Sequence, residues 1–177
     1  MGMPDISSLF DQIKAFREQP IHDWHPEKSV DIDLEVDAGG CWLYQGTGFR
    51  RHAIVKLFAT VLRREGEEFY LVTPPVKYRI KVADAPFLAV ELKVVDEDGQ
   101  QCLYFRTNMD DVVCADVQHP VFTAPSRDGS GDFPYIEVRD GLLARITRPV
   151  YYQLAEMIED SAEGFRLRSA GSEFILG

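Results

Sequence analysis

Residues 52–80, HAIVKLFATVLRREGEEFYLVTPPVKYRI, lie over residues 148–176, RPVYYQLAEMIEDSAEGFRLRSAGSEFIL, without a gap. The overlay sets Phe58 on Leu154, Ala59 on Ala155, Leu62 on Ile158, Glu67 on Glu163, Phe69 on Phe165 and Leu71 on Leu167. In each copy a helical rhythm comes first, Ile54, Val55, Phe58, Val61 and Leu62 against Val150, Tyr151, Leu154, Met157 and Ile158. Gly66 is expected to stop the first helix. Strands follow at 69–72 and 76–82, parted by Thr73, Pro74 and Pro75, because two prolines cannot sit inside a central ladder. The second copy offers 165–168 and 173–176 as a closing hairpin. Equal element order with apolar positions in register points to duplication, and two copies are too few for a solenoid.

Working outward, 30–36 reads Val, Asp, Ile, Asp, Leu, Glu, Val, the period-two pattern of a strand with one wet face. Gly39 and Gly40 allow a tight turn into 41–45. Ahead of this, Ile6, Leu9, Phe10, Ile13 and Phe16 predict a short amphipathic helix capped by Asp5, and 20–26 predicts a loop anchored by Trp24. Between the copies, 87–96, 101–107 and 111–117 read as strands with a hairpin turn at Asp98 and Gly99. Strand, turn and strand recur at 134–138, Asp140 with Gly141, and 142–146, while the polar loop 125–131 looks like a boundary. The expected organisation is an N-terminal helix and loop over 1–29, a first repeat domain with extra strands over 30–124, and a second over 132–177. The fold class is α+β, built of duplicated strand, hairpin, helix and strand units with mostly antiparallel sheets.

A composition 45% apolar and 27% charged over 177 residues suits a packed core and excludes disordered, collagenous and coiled-coil classes. The net charge of -10 argues against a general grip on the nucleic acid backbone, which needs concentrated Lys and Arg. Cys41, Cys102 and Cys114 stand singly and are odd in number, which disfavours a disulfide framework and fits reduced thiols in the cytoplasm. No apolar run has the length of a signal peptide or a bilayer span, so neither export nor membrane insertion is expected.

The motifs of chemistry are incomplete. His22 and His25 are three apart in a proline-containing loop, not on one helix face, so no metal site is expected. Gly46, Thr47, Gly48 and Phe49 resemble part of a phosphate loop, yet no Gly-Lys-Ser/Thr follows, and no nucleophile elbow is present. No catalytic residue is assigned, an enzyme is the less favoured class, and no cofactor is expected. Arg50, Arg51, Arg139, Arg145 and Arg148 flank equivalent elements of the two copies in an otherwise acidic chain. Two readings stand: salt bridges to nearby carboxylates, or convergence with Trp42 and Phe105 on a small anionic ligand whose phosphate the guanidinium forks hold and whose base the rings stack. A protein-interaction module without a pocket is the alternative function.

Several strings together resemble the uncharacterised proteobacterial domain-of-unknown-function family 1285: RHAIVKLF at 51–58, LVTPPVKYRIKVADAPF at 71–87, Phe105 to Asn108, His119 with Pro120, and RDGLLARITRPVYYQL at 139–154. The resemblance implies a duplicated core, a C-terminal half superficially like a pleckstrin-homology fold, a nucleotide-like ligand at the interface of the halves, and a role in signalling. By position, Trp42, Thr47, Arg51, Thr73, Pro74, Lys77, Arg139, Arg148 and Tyr151 match the family's motifs. Gly39 stands where the pattern has Asp, Gly48 and Phe49 where it has Pro and Ile, and Val76 where it has an acidic residue. The residue reading and the resemblance together give as ligand residues Trp42, Arg50, Arg51, Lys77, Phe105, Arg139, Arg145, Arg148 and Tyr151.

Overall fold

The computed structural model describes residues 6–16 and 21–177 and divides the chain into two units, Met1–Ala83 and Asp84–Gly177. The first unit contains α1 (Ile6–Phe16), β1 (Lys28–Val36), β2 (Trp42–Tyr44), β3 (Thr47–Gly48), α2 (His52–Thr60), β4 (Leu62–Glu65), β5 (Glu68–Val72) and β6 (Val76–Val82). The second contains β7 (Phe87–Glu97), β8 (Gln100–Thr107), β9 (Val112–Cys114), β10 (Val121–Pro125), β11 (Asp132–Arg139), β12 (Leu142–Ile146), α3 (Arg148–Ala155), β13 (Glu159–Ser161), β14 (Gly164–Ser169) and β15 (Ser172–Leu176). The fold is α+β, with one six-stranded, mostly antiparallel sheet in each unit and a further three-stranded sheet in the second.

In the first unit the alternation at 30–36 does what its period requires: Ile32, Leu34 and Val36 are buried, and Asp31 and Asp33 are exposed. The following turn is held by Asp37, whose Oδ1 accepts the N–H of Gly39 at 3.0 Å and of Cys41 at 2.9 Å, while Gly40 takes φ +80°. Leu9 and Ile13 of α1 are fully buried, and α1 packs on α2, where the Phe58 ring meets Phe10 and Phe49 edge-on at 6.5 and 5.7 Å. Asp5, the expected cap of α1, lies outside the described residues. Trp24 is buried as expected. Its loop is also tied by Arg63 of β4, which donates to the Trp24 carbonyl at 2.7 Å and to the Ile21 carbonyl.

Both repeat helices are shorter than the apolar rhythm implies. The N–H of Val61 turns back to the Phe58 carbonyl, and Leu62 opens β4 opposite Leu71. In the same way α3 ends at Ala155, Met157 bonds back to Leu154, and Glu159 opens β13. Gly66, at φ +62°, lies in the β4–β5 turn instead of ending the helix. The loop 126–131 joins β10 to β11 within one sheet, with Pro125 paired to Asp132, so the division of the chain falls at Ala83 and Asp84 and not at this loop.

The two six-stranded sheets share one scheme. Sheet order is β3-β2-β1-β6-β5-β4 in the first unit and β9-β8-β7-β12-β11-β10 in the second. In each, two antiparallel meanders meet at one parallel ladder, β1 with β6 and β7 with β12. The helix and meander of the sequence overlay also recur, as α2 with β4, β5 and β6, and α3 with β13, β14 and β15. In the second unit that meander forms its own sheet, since β12 already pairs with β7.

Phe58 is fully buried at the centre of the α1–α2 packing. Phe58→Ala should cost about 3–5 kcal/mol through lost transfer energy and the cavity left behind. Urea unfolding should show this as a lower midpoint at unchanged slope.

Candidate functional site

The residues singled out from the sequence divide between the units, Trp42, Arg50, Arg51 and Lys77 in the first and Phe105, Arg139, Arg145, Arg148 and Tyr151 in the second. The expected ring platforms are closed. Phe105 shares the inward face of β8 with Leu103 and Thr107, all three fully buried, so its ring is core and offers no face for a base. Trp42 opens β2 opposite Val36 and is 3% exposed. Its Nε1–H has no hydrogen-bond partner among the described residues, a deficit that costs about 1–3 kcal/mol.

Three of the cations are engaged. Lys77 meets Glu65 at 2.5 Å and lies 4.4 Å from the Tyr70 ring centre. Arg139 pairs with Asp111 at 3.3 Å and covers Phe87. Arg145 lies over the Phe133 ring and reaches the Asp84 carboxylate at 3.4 Å. For these side chains the salt-bridge reading holds. Arg50, Arg51 and Arg148 are different: they are exposed and have no ion-pair partner among the described residues. Tyr151, one turn into α3, is half-buried.

A densely hydrogen-bonded buried carboxylate is one that motif reasoning passed over. Asp84 is the first residue of the second unit, and its side chain is 3% exposed. Its carboxylate accepts the Tyr135 hydroxyl at 2.9 Å, the Arg127 N–H at 3.0 Å and the Arg145 guanidinium. A buried carboxylate is tolerated when it is paired and hydrogen-bonded, and this one is both. Burial, followed by the neighbouring Asp84 carboxylate, pushes the Tyr135 hydroxyl well above the usual tyrosine range. Nearby, Asp128 is held down to about 2 by hydrogen bonds from Ser130 and Ser126, which close the β10–β11 loop. On β8 the Tyr104 hydroxyl donates to Glu97, which pushes it up to about 12.

Two open cavities of about 380 Å³ indent the second unit. One lies between the β7–β8 turn and the β14–β15 turn, walled by Gln100, Met157, Glu159, Arg168 and Glu173. The other crosses the outer face of β7 and β8 beside Lys93, Tyr104 and Arg106. None of the sequence-derived ligand residues lines either cavity. Among the described residues no group of three or more His, Cys, Asp or Glu side chains could hold a metal ion.

Residues 19–85 match the family described as "Domain of unknown function (DUF1285), N-terminal domain", and residues 86–176 match "Protein of unknown function (DUF1285), C-terminal domain". The chain belongs to the DUF1285 family. A crystal structure of a DUF1285 protein from Silicibacter pomeroyi DSS-3 is 38% identical with a TM-score of 0.90, over 99% of this chain and 96% of that one. A DUF1285 protein from Shewanella baltica OS155 is 26% identical with a TM-score of 0.55, over 71% of this chain and 91% of that one. No curated protein matches the chain. The duplicated core expected of a DUF1285 member is present, and no helix of the described residues is long and apolar enough to cross a membrane.

Arg145→Ala would leave Asp84 buried with only neutral donors. The cost should be about 2 kcal/mol, below that of a fully buried pair because Arg145 is partly solvated, and chemical denaturation should read it. Tyr135 holds its proton more tightly folded than unfolded, so its contribution is whole below about pH 10 and is lost as pH rises beyond that value. Urea midpoints measured at rising alkaline pH should fall less steeply in Tyr135→Phe, the remaining slope including that of Tyr104.

Proposed function

We propose that the protein is a cytoplasmic binding or sensory module for a small anionic, nucleotide-like ligand, with a role in signal transduction. The observation that supports this most is the standing of Arg50, Arg51 and Arg148. In a chain with 29 acidic and 19 basic residues, these guanidinium groups have no carboxylate partner among the described residues. They sit at the N-termini of α2 and α3. Arg51 is the residue before α2 and makes no side-chain cap, and Arg148 is the first residue of α3. Thr147, which precedes α3, spends its hydroxyl on the Ala89 carbonyl and leaves that end uncapped as well.

A helix N-terminus presents unpaired N–H groups and the positive end of the dipole, and neither first turn holds an acidic residue to satisfy it. An exposed guanidinium beside such an end has the chemistry that receives phosphate oxygens in pairs. Cys41, Cys102 and Cys114 are all free thiols, in keeping with a reducing compartment. Recognition without turnover fits the absence of a legible catalytic motif and suits a sensor.

Thermal melting against a panel of mononucleotides, cyclic dinucleotides and inorganic phosphate tests the reading. A ligand present at a hundred times its Kd should stabilise the native chain by about 2.7 kcal/mol and raise Tm by about 5–10 °C. Arg51→Ala and Arg148→Ala should keep the ligand-free Tm within a degree or so and lose most of that rise, both positions being exposed. A flat response to the whole panel, or an equal rise in the double variant, overturns it.

A further inference from the structure

Strand β8 turns one face to the core and the other outward. Leu103, Phe105 and Thr107 are fully buried on its inner face. On the outer face the register builds cross-strand rows: Glu91 stands beside Arg106 and Arg106 beside Val112, Lys93 beside Tyr104, and Val95 beside Cys102. All of these except Cys102, together with Glu97, line the open cavity of about 380 Å³ that crosses this face. Val95 and Tyr104 are half-buried in it, and Val112 of β9 is 61% exposed. Most charges of the lining are already engaged. Arg106 donates to Glu91 at 2.9 Å and to Asp110 at 3.1 Å. Glu97 accepts the Tyr104 hydroxyl and, at 3.5 Å, the Cys102 thiol. Lys93, between these two groups on β7, is exposed and has neither an ion pair nor a hydrogen bond among the described residues.

We infer that this cavity binds a small monocarboxylate with an apolar body, the carboxylate on the Lys93 ammonium and the body over Val95, Tyr104 and Val112. Small-molecule sites have this make-up, a concave apolar lining with a few placed polar groups that fix orientation. Covering Val95, Val112 and the Tyr104 ring takes apolar surface out of water, and the one uncommitted ammonium supplies a charge-assisted hydrogen bond.

The charge of the lining selects against other ligands. A phosphate dianion would face a single free ammonium beside the Glu91 and Glu97 carboxylates, and like charges set together are costly. A cation would meet two carboxylates that already hold donors. One negative charge on an otherwise apolar molecule matches what is left. Arg50, Arg51 and Arg148 line no part of this cavity, so the inference stands apart from the proposed nucleotide-like site.

The probes are cinnamate and octanoate, with cinnamyl alcohol as the uncharged match to cinnamate, titrated into the full chain by isothermal calorimetry. Cinnamate should bind about tenfold more tightly than the alcohol, the worth of a hydrogen bond to a charged group. Lys93→Met keeps the stem and removes the charge, and should abolish that preference without moving Tm, whereas Lys93→Arg should keep it. Val95→Ser should weaken cinnamate and the alcohol alike, by about fivefold. The Lys93 readout stands even if the serine variant folds poorly, since Lys93 is exposed. Tighter binding of cinnamate or of octanoate tells a flat aromatic body from an aliphatic one, and binding of either supports the inference. Absence of binding of both carboxylates at about 1 mM, an equal affinity for the alcohol, or a preference that survives in Lys93→Met overturns it. Loss of cinnamate binding in the double variant of Arg51→Ala and Arg148→Ala would assign the carboxylate to the other site and overturn it too.

Discussion

Each six-stranded sheet is joined across its middle by a single parallel ladder, β1 with β6 in one unit and β7 with β12 in the other. All other neighbours in those sheets are antiparallel and are formed largely between strands adjacent in sequence. Such pairs need only local turns, whereas a parallel pair must be reached by a long crossover. The two ladders are therefore the non-local step on which sheet integrity rests; without them each sheet separates into two meanders. The first ladder gains cross-strand charge, Asp31 with Arg79, on its wet face and buries Ile32, Leu34, Tyr78 and Ile80 on the other.

Sequence periodicity read the repeat well where burial is one-sided. The overlay placed α2 and α3, and the strands after them, because Phe58 with Leu154 and Leu71 with Leu167 occupy the same buried positions. The Asp-Gly pairs at 98–99 and 140–141 adopt the left-handed turn conformations their chemistry favours. Four strands escaped notice because they lack that alternation: Thr-Gly of β3, Leu-Arg-Arg-Glu of β4, Glu-Asp-Ser of β13, and β10, which ends in a proline. The shared sheet scheme was equally hidden, since which strand pairs with which is set by packing between elements far apart in the chain.

The border between the two compact units was hidden for a related reason. A polar run at 125–131 has the composition of a linker, but Ser126 and Asp128 knit it into a hairpin loop. At the border of the two compact units, Ala83, Asp84 and Ala85 look like ordinary chain, and Asp84 and Ala85 are buried. Among the arginines, composition could mark the set but not sort it. Arg139 and Arg145 are held by carboxylates and rings, whereas Arg50, Arg51 and Arg148 stand in water at helix starts. Phe105 was misjudged because one register step decides whether a strand residue looks inward or outward.

Asp84 also bears on how the chain can be dissected. The C-terminal family domain begins at residue 86, two positions beyond this carboxylate. A fragment cut at that border would be born without its internal counter-ion, losing the carboxylate that accepts from the Arg145 guanidinium, the Tyr135 hydroxyl and the Arg127 amide. The evolutionary border and the electrostatic one differ by two residues, Asp84 and Ala85, and it is the electrostatic one that a severed half must respect.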